Sequence, residues 1–478
     1  MVRGRPASGT STDGGTKRLS LWRAILFSLA GLPVAAAGTA LLIYLPPHLS
    51  SLGVPLAVVG GSWALVRLID IGVDPLLGVL MDATRSPFGR YRPWLTAAAP
   101  IFSLGIWMLF FAPVGVGQTY IVGWLLVLYV ALSILSLGHP AWGANLARSY
   151  DERSRIYGIM AVVAVISIVA VLIIPVVAGL VGHERDSMHA MGWFLVIAVP
   201  ASVGITVAAT PETINPSHRP AKPRLRDLGS VLRKRDLLRL YGAQMGMMLG
   251  PGWMSAIFIF FCKDYMHFSE GQASVLLVIY IVAGLGGAPA SAWLATRIGK
   301  HRAIMVAAVA HSLGLLTVLL PPKGVVIATV PVMLWCGFAA AGFDMTIRSM
   351  LADVSDEVRL EAGHERTSLI YALYTLSSKL ANAFAIGLTF PLLQRLGYQP
   401  RLGLANTPEA IRSLGLTFVS GPIVFVLLGA ACLIGWRMTS EQHAKIRSQL
   451  EARDAAAALG VPGEPTAGAA AALGVGAG

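Results

Sequence analysis

Charged residues are scarce in this chain of 478 residues. Only 13% of the residues are Asp, Glu, Lys or Arg, whereas 55% are hydrophobic. Soluble domains usually carry roughly 25% charged residues. The shortage of charge excludes a soluble globular domain and an extended disordered chain, and it is typical of a protein that crosses a membrane.

Cysteine is also rare, and the motifs of most enzymes are missing. Cys262, Cys336 and Cys432 fall in separate apolar segments without the spacing of metal ligands, so we expect buried thiols and neither disulfides nor a metal site. No nucleotide-binding glycine loop, nucleophile elbow or zinc-type His/Glu spacing occurs. We therefore expect no enzyme and no cofactor. We also expect no cleavable signal, because the first apolar segment is too long for one.

Apolar segments make up most of the chain. A helix needs roughly 20 residues to cross the hydrocarbon core of a bilayer, and twelve segments of that order are present. We predict transmembrane helices near 22–44, 54–81, 94–113, 119–147, 156–182, 189–210, 237–262, 269–297, 303–321, 325–352, 368–396 and 413–437. Several contain Gly or Pro, which membrane helices tolerate.

The basic residues predict the orientation in the membrane. An even number of helices places both termini on one side, and most Lys and Arg residues fall in the loops of that side. The opposite loops hold only Arg185, Lys263, Lys323, Arg395, Arg401 and Arg412. By the positive-inside rule, both termini are cytoplasmic in a multi-pass plasma (inner) membrane protein. The formal charge of +13 is then a signal of topology, and we expect no nucleic-acid partner.

A weak internal repeat divides the helices into two halves. LARSYDERSR, residues 146–155, recurs as LADVSDEVRL, residues 351–360. Two parallel six-helix halves joined by a polar loop are expected of the major facilitator fold, an all-α membrane architecture whose halves rock about a central site. We expect such a carrier to function as a monomer in the bilayer. The predicted units are an N-terminal arm 1–21, halves 22–210 and 237–437, a linker 211–236, and a mostly disordered tail 438–478.

Three charges interrupt the second apolar segment. Arg67, Asp70 and Asp74 are spaced so that an α-helix places them, with Gly78, on one stripe about 16 Å long. Charges inside a bilayer are costly and usually functional. One arginine cannot neutralise two carboxylates, so the stripe favours a bound cation, either Na⁺ or a proton. The structural alternative is an ion-paired patch that holds two helices together.

Lys379 is the other buried charge. It lies a dozen residues into the eleventh segment, and in a parallel six-plus-six arrangement helices 2 and 11 are neighbours. Lys379 is then able to meet Asp70 or Asp74 and to compete with a bound cation. The alternative is that its side chain snorkels to the membrane surface.

These residues resemble a known family. The stretch DIGVDPLLGVLMDATRSPFGRYRPW, residues 70–94, is similar to the signature of the glycoside–pentoside–hexuronide:cation symporters, and similar matches occur at 138–156 and 350–380. The resemblance implies that Asp70 and Asp74 are the cation-site carboxylates, with Arg67 and Lys379 beside them. It also implies a cytoplasmic gate formed by Asp82, Arg85, Arg90, Asp151, Arg153 and Arg155.

The sequence departs from this family where sugars bind. Sugar-transporting members carry acids on helices 1 and 4, whereas the apolar LAGLPVAAAGTALLIY and LSILSLGHPAWG stand here. Sugar hydroxyls are unfavourable to bury without acceptors. Trp142 and His139 on helix 4 are candidate substrate contacts, although a membrane tryptophan is more often a packing residue. Asp344 either orients a substrate or pairs with Arg348 one turn later.

We therefore predict a secondary active transporter that couples a small organic substrate, of a sugar or glycoside-like kind, to Na⁺ or H⁺ by alternating access. One alternative is a proton-coupled exporter, which the direction of substrate movement distinguishes. Another is a carrier of an amphipathic or lipid-like molecule, since the family also resembles animal lysolipid carriers. A scramblase or receptor without transport would not need the charged stripe.

Overall fold

The computed structural model describes residues 20–146, 150–183, 186–212, 233–362 and 367–458. Helices fill almost all of this part, and no strand occurs in it. In chain order the helices are α1 (Leu21–Ser51, with two local breaks), α2 (Leu56–Ala83), α3 (Arg92–Phe110), α4 (Gln118–Leu146), α5 (Tyr150–Leu180), α6 (Ser187–Ala209), α7 (Arg235–Tyr265), α8 (Glu270–Ile298), α9 (Lys300–Leu319), α10 (Val326–Ala340 and Phe343–Ala362), α11 (Thr367–Arg395), α12 (Pro408–Ala431) and α13 (Ser440–Ala458).

Eleven helices in the described part are long and apolar enough to cross a membrane. These are α1 and α3 to α12. Helix α2 is not among the eleven, although its 28 residues are enough for a span and it coincides with the predicted second segment. It is also the helix that carries Arg67, Asp70 and Asp74 inside the apolar run.

The two halves meet where α2 packs against α11 and where α5 packs against α8. Small residues allow close approach at the first seam: a Cβ atom at Gly60 would lie 3.0 Å from the carbonyl oxygen of Ile386. At the second seam, a Cβ at Gly271 would lie 2.9 Å from the carbonyl oxygen of Pro175. Gly60 and Gly271 both lie near the helix ends opposite the chain termini, so the halves are in close contact on that side.

Several spanning helices are locally irregular. Helix α1 contains a 3₁₀ turn at Leu29–Gly31 and a π-helical turn at Ala40–Tyr44, and α7 ends in a π-helical turn at Phe261–Tyr265. The α10 helix is interrupted between Ala340 and Phe343. Such breaks free backbone groups and are frequent beside functional sites.

The linker and the tail were predicted from composition. Residues 213–232 of the linker lie outside the described residues, as does the N-terminal arm up to residue 19. Part of the predicted disordered tail is instead the helix α13, which packs on α10 through the buried side chains of Ile446 and Leu450. His443 of α13 lies 3.1 Å from a carboxylate oxygen of Asp356 on α10.

Candidate functional site

Helix α2 presents its three charges on successive turns. Arg67, Asp70 and Asp74 are three and four residues apart, so the helical period stacks them on one face. Pro75 follows directly inside the helix. Because proline has no backbone N–H, one helical hydrogen bond is lost beside the two acids.

Asp70 is the most enclosed of these residues, with 1% of its side chain exposed. Its Oδ1 accepts a hydrogen bond from Ser133 Oγ at 2.9 Å, and its Oδ2 accepts one from Lys379 Nζ at 2.7 Å. Arg67 Nη1 lies 3.5 Å from the same Oδ2, and its guanidinium lies 4.1 Å above the Tyr129 ring. Two cations and a hydroxyl therefore offset the desolvation of this carboxylate.

Lys379 joins the two halves at this point. Its ammonium contacts Asp74 as well as Asp70, so the contact between α2 and α11 that the sequence suggested is present. Asp74 Oδ1 is buried and has no hydrogen-bond partner among the described residues. One lysine is thus shared by two carboxylates, and one carboxylate oxygen is without a donor. We call Arg67, Asp70, Asp74 and Lys379 the charged pair site.

Sequence reasoning missed two members of the surrounding shell. Tyr129 and Ser133 lie four residues apart on α4 and face Arg67 and Asp70. The available signal was a pair of polar side chains at i and i+4 in a largely apolar helix. Their partners were not predictable, since no spacing rule relates a residue of α4 to one of α2.

His139 and Trp142, two predicted substrate residues, pack against α1. They are 2% and 1% exposed. His139 Nε2 donates a hydrogen bond to the carbonyl oxygen of Phe27 at 2.8 Å, just before the 3₁₀ turn of α1. The Trp142 indole meets the Phe27 ring edge-on, with centroids 5.3 Å apart. These contacts hold α4 to α1, and a substrate role for either residue stays a prediction.

Asp344 belongs to a polar cluster within the C-terminal half. Its Oδ1 accepts hydrogen bonds from Tyr374 Oη at 2.5 Å and Gln244 Nε2 at 3.0 Å. Its Oδ2 accepts one from Arg348 Nε at 2.7 Å, the pairing that the i+4 spacing favoured. Gln244 Nε2 also donates to Ser378 Oγ at 2.9 Å. We call these five residues the C-half polar cluster.

The predicted gate residues lie on the terminus side of α2 to α5. Among them, Arg85 is exposed, whereas Arg90 and Arg155 are partly buried and engaged by neighbours. The remaining side chains lie outside the described part: Asp82, Asp151 and Arg153. The gate role stays a prediction.

Two helical halves that meet at ion-paired carboxylates are the arrangement expected of a secondary transporter of the major facilitator type. The family model described as MFS/sugar transport protein matches residues 26–440. The chain therefore belongs to that family, and it is a transporter and not an enzyme. The family resemblance that the sequence motifs carry is confirmed.

The relatives span both substrate classes that the sequence left open. The isoprimeverose transporter of Lactiplantibacillus pentosus is 24% identical over 84% of this chain and 85% of its own length. The sodium-dependent lysophosphatidylcholine symporter 1 of Xenopus tropicalis is 22% identical over 94% of this chain and 93% of its own length. A glucuronide carrier protein homolog of Escherichia coli is 24% identical over 84% of this chain and 89% of its own length.

The fold is shared with a solved transporter. The nucleoside transporter NupG superposes with a TM-score of 0.62 at 15% identity, over 87% of this chain and 100% of that chain. At this identity the likeness concerns the fold alone.

Proposed function

We propose that this protein is a cation-coupled symporter in which Asp70 and Asp74 take up Na⁺ or H⁺ together with a small organic solute. The observation that carries the proposal is the sharing of Lys379 by two carboxylates, with Asp74 Oδ1 lacking a donor among the described residues. A sodium ion takes oxygen ligands of this kind, and a proton is held by one carboxylate of such a pair.

Lys379 supplies the coupling in this mechanism. Without a cation, its ammonium and Arg67 balance the charges of Asp70 and Asp74. A cation that binds the carboxylates displaces the ammonium, because both compete for the same oxygen atoms. Since Lys379 lies on α11 and the acids on α2, this exchange changes the contact between the halves, as alternating access requires.

The family and two of the relatives favour a sugar or glycoside-like solute. The lysophosphatidylcholine symporter relative and the apolar faces of α1 and α4 favour a second candidate, an amphipathic lipid-like solute. A plasma-membrane location with cytoplasmic termini accords with the distribution of Lys and Arg.

Asp74→Asn tests the coupling role. Asparagine is nearly isosteric but carries no charge, so we expect it to remove the stabilisation of the purified protein by the coupling cation. Gradient-driven accumulation in proteoliposomes should also be lost. The measurements are thermal unfolding in Na⁺ against choline buffer and at several pH values. Uptake of a panel of labelled pentosides, hexosides and glucuronides follows, under separately imposed Na⁺ and H⁺ gradients.

Asp353→Asn is a matched control, since Asp353 also pairs with a lysine, Lys300, but on the terminus side of α10. It should keep both the cation response and uptake. Full gradient-driven accumulation by Asp74→Asn would remove this residue from the coupling site.

A further inference from the structure

Arg348 is a charged residue that the coupling mechanism does not use. Its side chain is 58% exposed, although it lies within a helix of a candidate membrane span. A guanidinium facing hydrocarbon costs several kcal/mol, so its exposed part faces water. Gln244 donates hydrogen bonds both to Asp344, the partner of Arg348, and to Ser378, the residue that precedes Lys379 on α11. The cluster that holds Arg348 therefore adjoins the charged pair site.

The C-half polar cluster holds this guanidinium in place. Asp344 Oδ2 engages Nε of Arg348, while Tyr374 and Gln244 donate to Asp344 Oδ1. The Arg348 Cζ atom also lies 5.2 Å from the centre of the Tyr374 ring. With three donors already on its carboxylate, Asp344 is suited to orient Arg348 more than to accept solute hydroxyls.

A guanidinium oriented in this way recognises a particular chemical class. Its planar set of five N–H donors matches the oxygen atoms of carboxylate and phosphate groups. Charge-assisted bonds of this type are about twice as strong as neutral ones. Neutral hydroxyls would use the same donors less well.

The charge balance near the centre points in the same direction. The charged members of the charged pair site and the C-half polar cluster are three basic and three acidic side chains: Arg67, Arg348, Lys379, Asp70, Asp74 and Asp344. Their charges sum to zero. One bound monovalent cation raises the summed charge of the two clusters to +1, which a monoanionic solute cancels and a neutral sugar does not.

We propose that Arg348 determines specificity by binding a carboxylate or phosphate group of the transported solute, and that Asp344, Tyr374 and Gln244 position it. The inference rests on the proposed symport function and specifies the charge class of the solute at that site.

Calorimetric titration of the purified full-length protein in Na⁺ buffer tests the proposal. The probes are glucose, glucuronate and glucose 6-phosphate, which share a ring and differ in charge. At least one anion should bind about tenfold tighter than glucose, equivalent to ~1.4 kcal/mol. The comparison of glucuronate with glucose 6-phosphate identifies the preferred group. Arg348→Gln should abolish the preference, whereas Arg297→Gln, on an arginine stacked over Trp293 at the end of α8, should retain it.

Asp344→Asn separates an anchoring role from a structural one. Asparagine keeps an oxygen atom that can accept the hydrogen bond from Arg348 Nε but removes the competing negative charge. If Arg348 binds an anion, anion affinity in Asp344→Asn should therefore be equal or higher. If the pair is only structural, Asp344→Asn and Arg348→Gln should be equally harmful. The proposal is overturned by equal losses in the two variants, by a preference that survives in Arg348→Gln, by glucose binding as tightly as both anions, or by no binding of either anion.

Cation-dependent thermal stabilisation of the same samples, with Asp74→Asn as reference, reports on the symport function separately. If that response persists while the anion preference is absent, only the role of Arg348 fails. If the response itself is absent, the cation-coupled function fails.

Discussion

At the scale of single residues, the sharing of Lys379 is the central feature. An ammonium that contacts both Asp70 and Asp74 stabilises two carboxylates at once, and its removal leaves them with Arg67 as the remaining cation of the site. Breaking a buried pair on one side is more damaging than removing both partners, because an unpaired charge is left behind.

A double-mutant cycle on Asp70→Ala and Lys379→Ala measures this interaction. In cation-free buffer the double variant should be more stable than the sum of the single changes by about 0.5–3 kcal/mol. The reason is that one charge of each sign is removed together. The free energy of unfolding of the purified variants is the quantity to compare.

The control cycle combines Asp70→Ala with Lys300→Ala, because Lys300 pairs with Asp353 at the start of α9. Those two changes should add. Additivity within about 0.3–0.5 kcal/mol for Asp70 and Lys379 would contradict the proposed exchange of lysine for cation between α2 and α11.

At the scale of elements, the helix ends opposite the termini form a seal between the halves. Tyr44 Oη of α1 and Ser274 Oγ of α8 are 2.6 Å apart. Ser187 Oγ at the start of α6 donates to Glu270 at 3.1 Å, and Lys263 lies 3.9 Å from the Glu270 carboxylate. These contacts border a cavity of about 260 Å³ whose lining includes Ile259.

Glu270→Ala should favour the form that opens on this side. Loss of a hydrogen bond to a charged group costs about 1.5–3 kcal/mol. We therefore expect the equilibrium between the closed and the open form to shift about tenfold or more toward the open form. The measurement is the rate at which a membrane-impermeant maleimide labels Ile259→Cys, which is 4% exposed in the closed arrangement. The three native cysteines are replaced beforehand.

Glu409→Ala is the matched control. Glu409 also occupies the first turn of its helix, α12, so the variant loses the same helix-dipole stabilisation. Its labelling rate should equal that of the parent protein. An unchanged rate in Glu270→Ala would exclude Glu270 from the seal.

At the scale of the whole molecule, the chemistry of the space between the halves depends on which helices carry polar groups. Helices α1 and α4 contribute no acid, and His139 and Trp142 are engaged with Phe27. The charged groups come instead from α2, α10 and α11.

Melibiose-like neutral disaccharides should therefore bind poorly. Their hydroxyls would lose water without gaining carboxylate acceptors from α1 and α4. We therefore expect a Kd above about 1 mM, which corresponds to a binding free energy smaller in magnitude than ~4.1 kcal/mol. Calorimetric titration of melibiose into the purified protein measures this value. Tight, saturable binding in a sample that also responds to the coupling cation would contradict the expectation.

The sequence alone predicted much of the framework. Apolar length marked the spanning segments, because a helix in lipid must satisfy its backbone internally and be long enough to cross. Some ends were predicted less well, since α1 continues to Ser51 and α10 to Ala362, beyond the predicted ends at 44 and 352. The stripe on α2 followed from helical periodicity. The pairing of Asp344 with Arg348 followed from the i+4 rule. Local breaks in α1, and the helix α13 within the predicted disordered tail, were not visible, since they depend on contacts with other helices.

The sequence by itself determined that the chain spans a membrane, which residues stand out as charges within it, and which of them share one helix face. Only the tertiary structure decided their partners: that Lys379 is shared by Asp70 and Asp74, that Ser133 completes the shell of Asp70, and that His139 and Trp142 face Phe27. The physical reason is that periodicity and hydropathy act along one helix. Partners on separate helices are instead selected by packing and by the need to pair every buried charge.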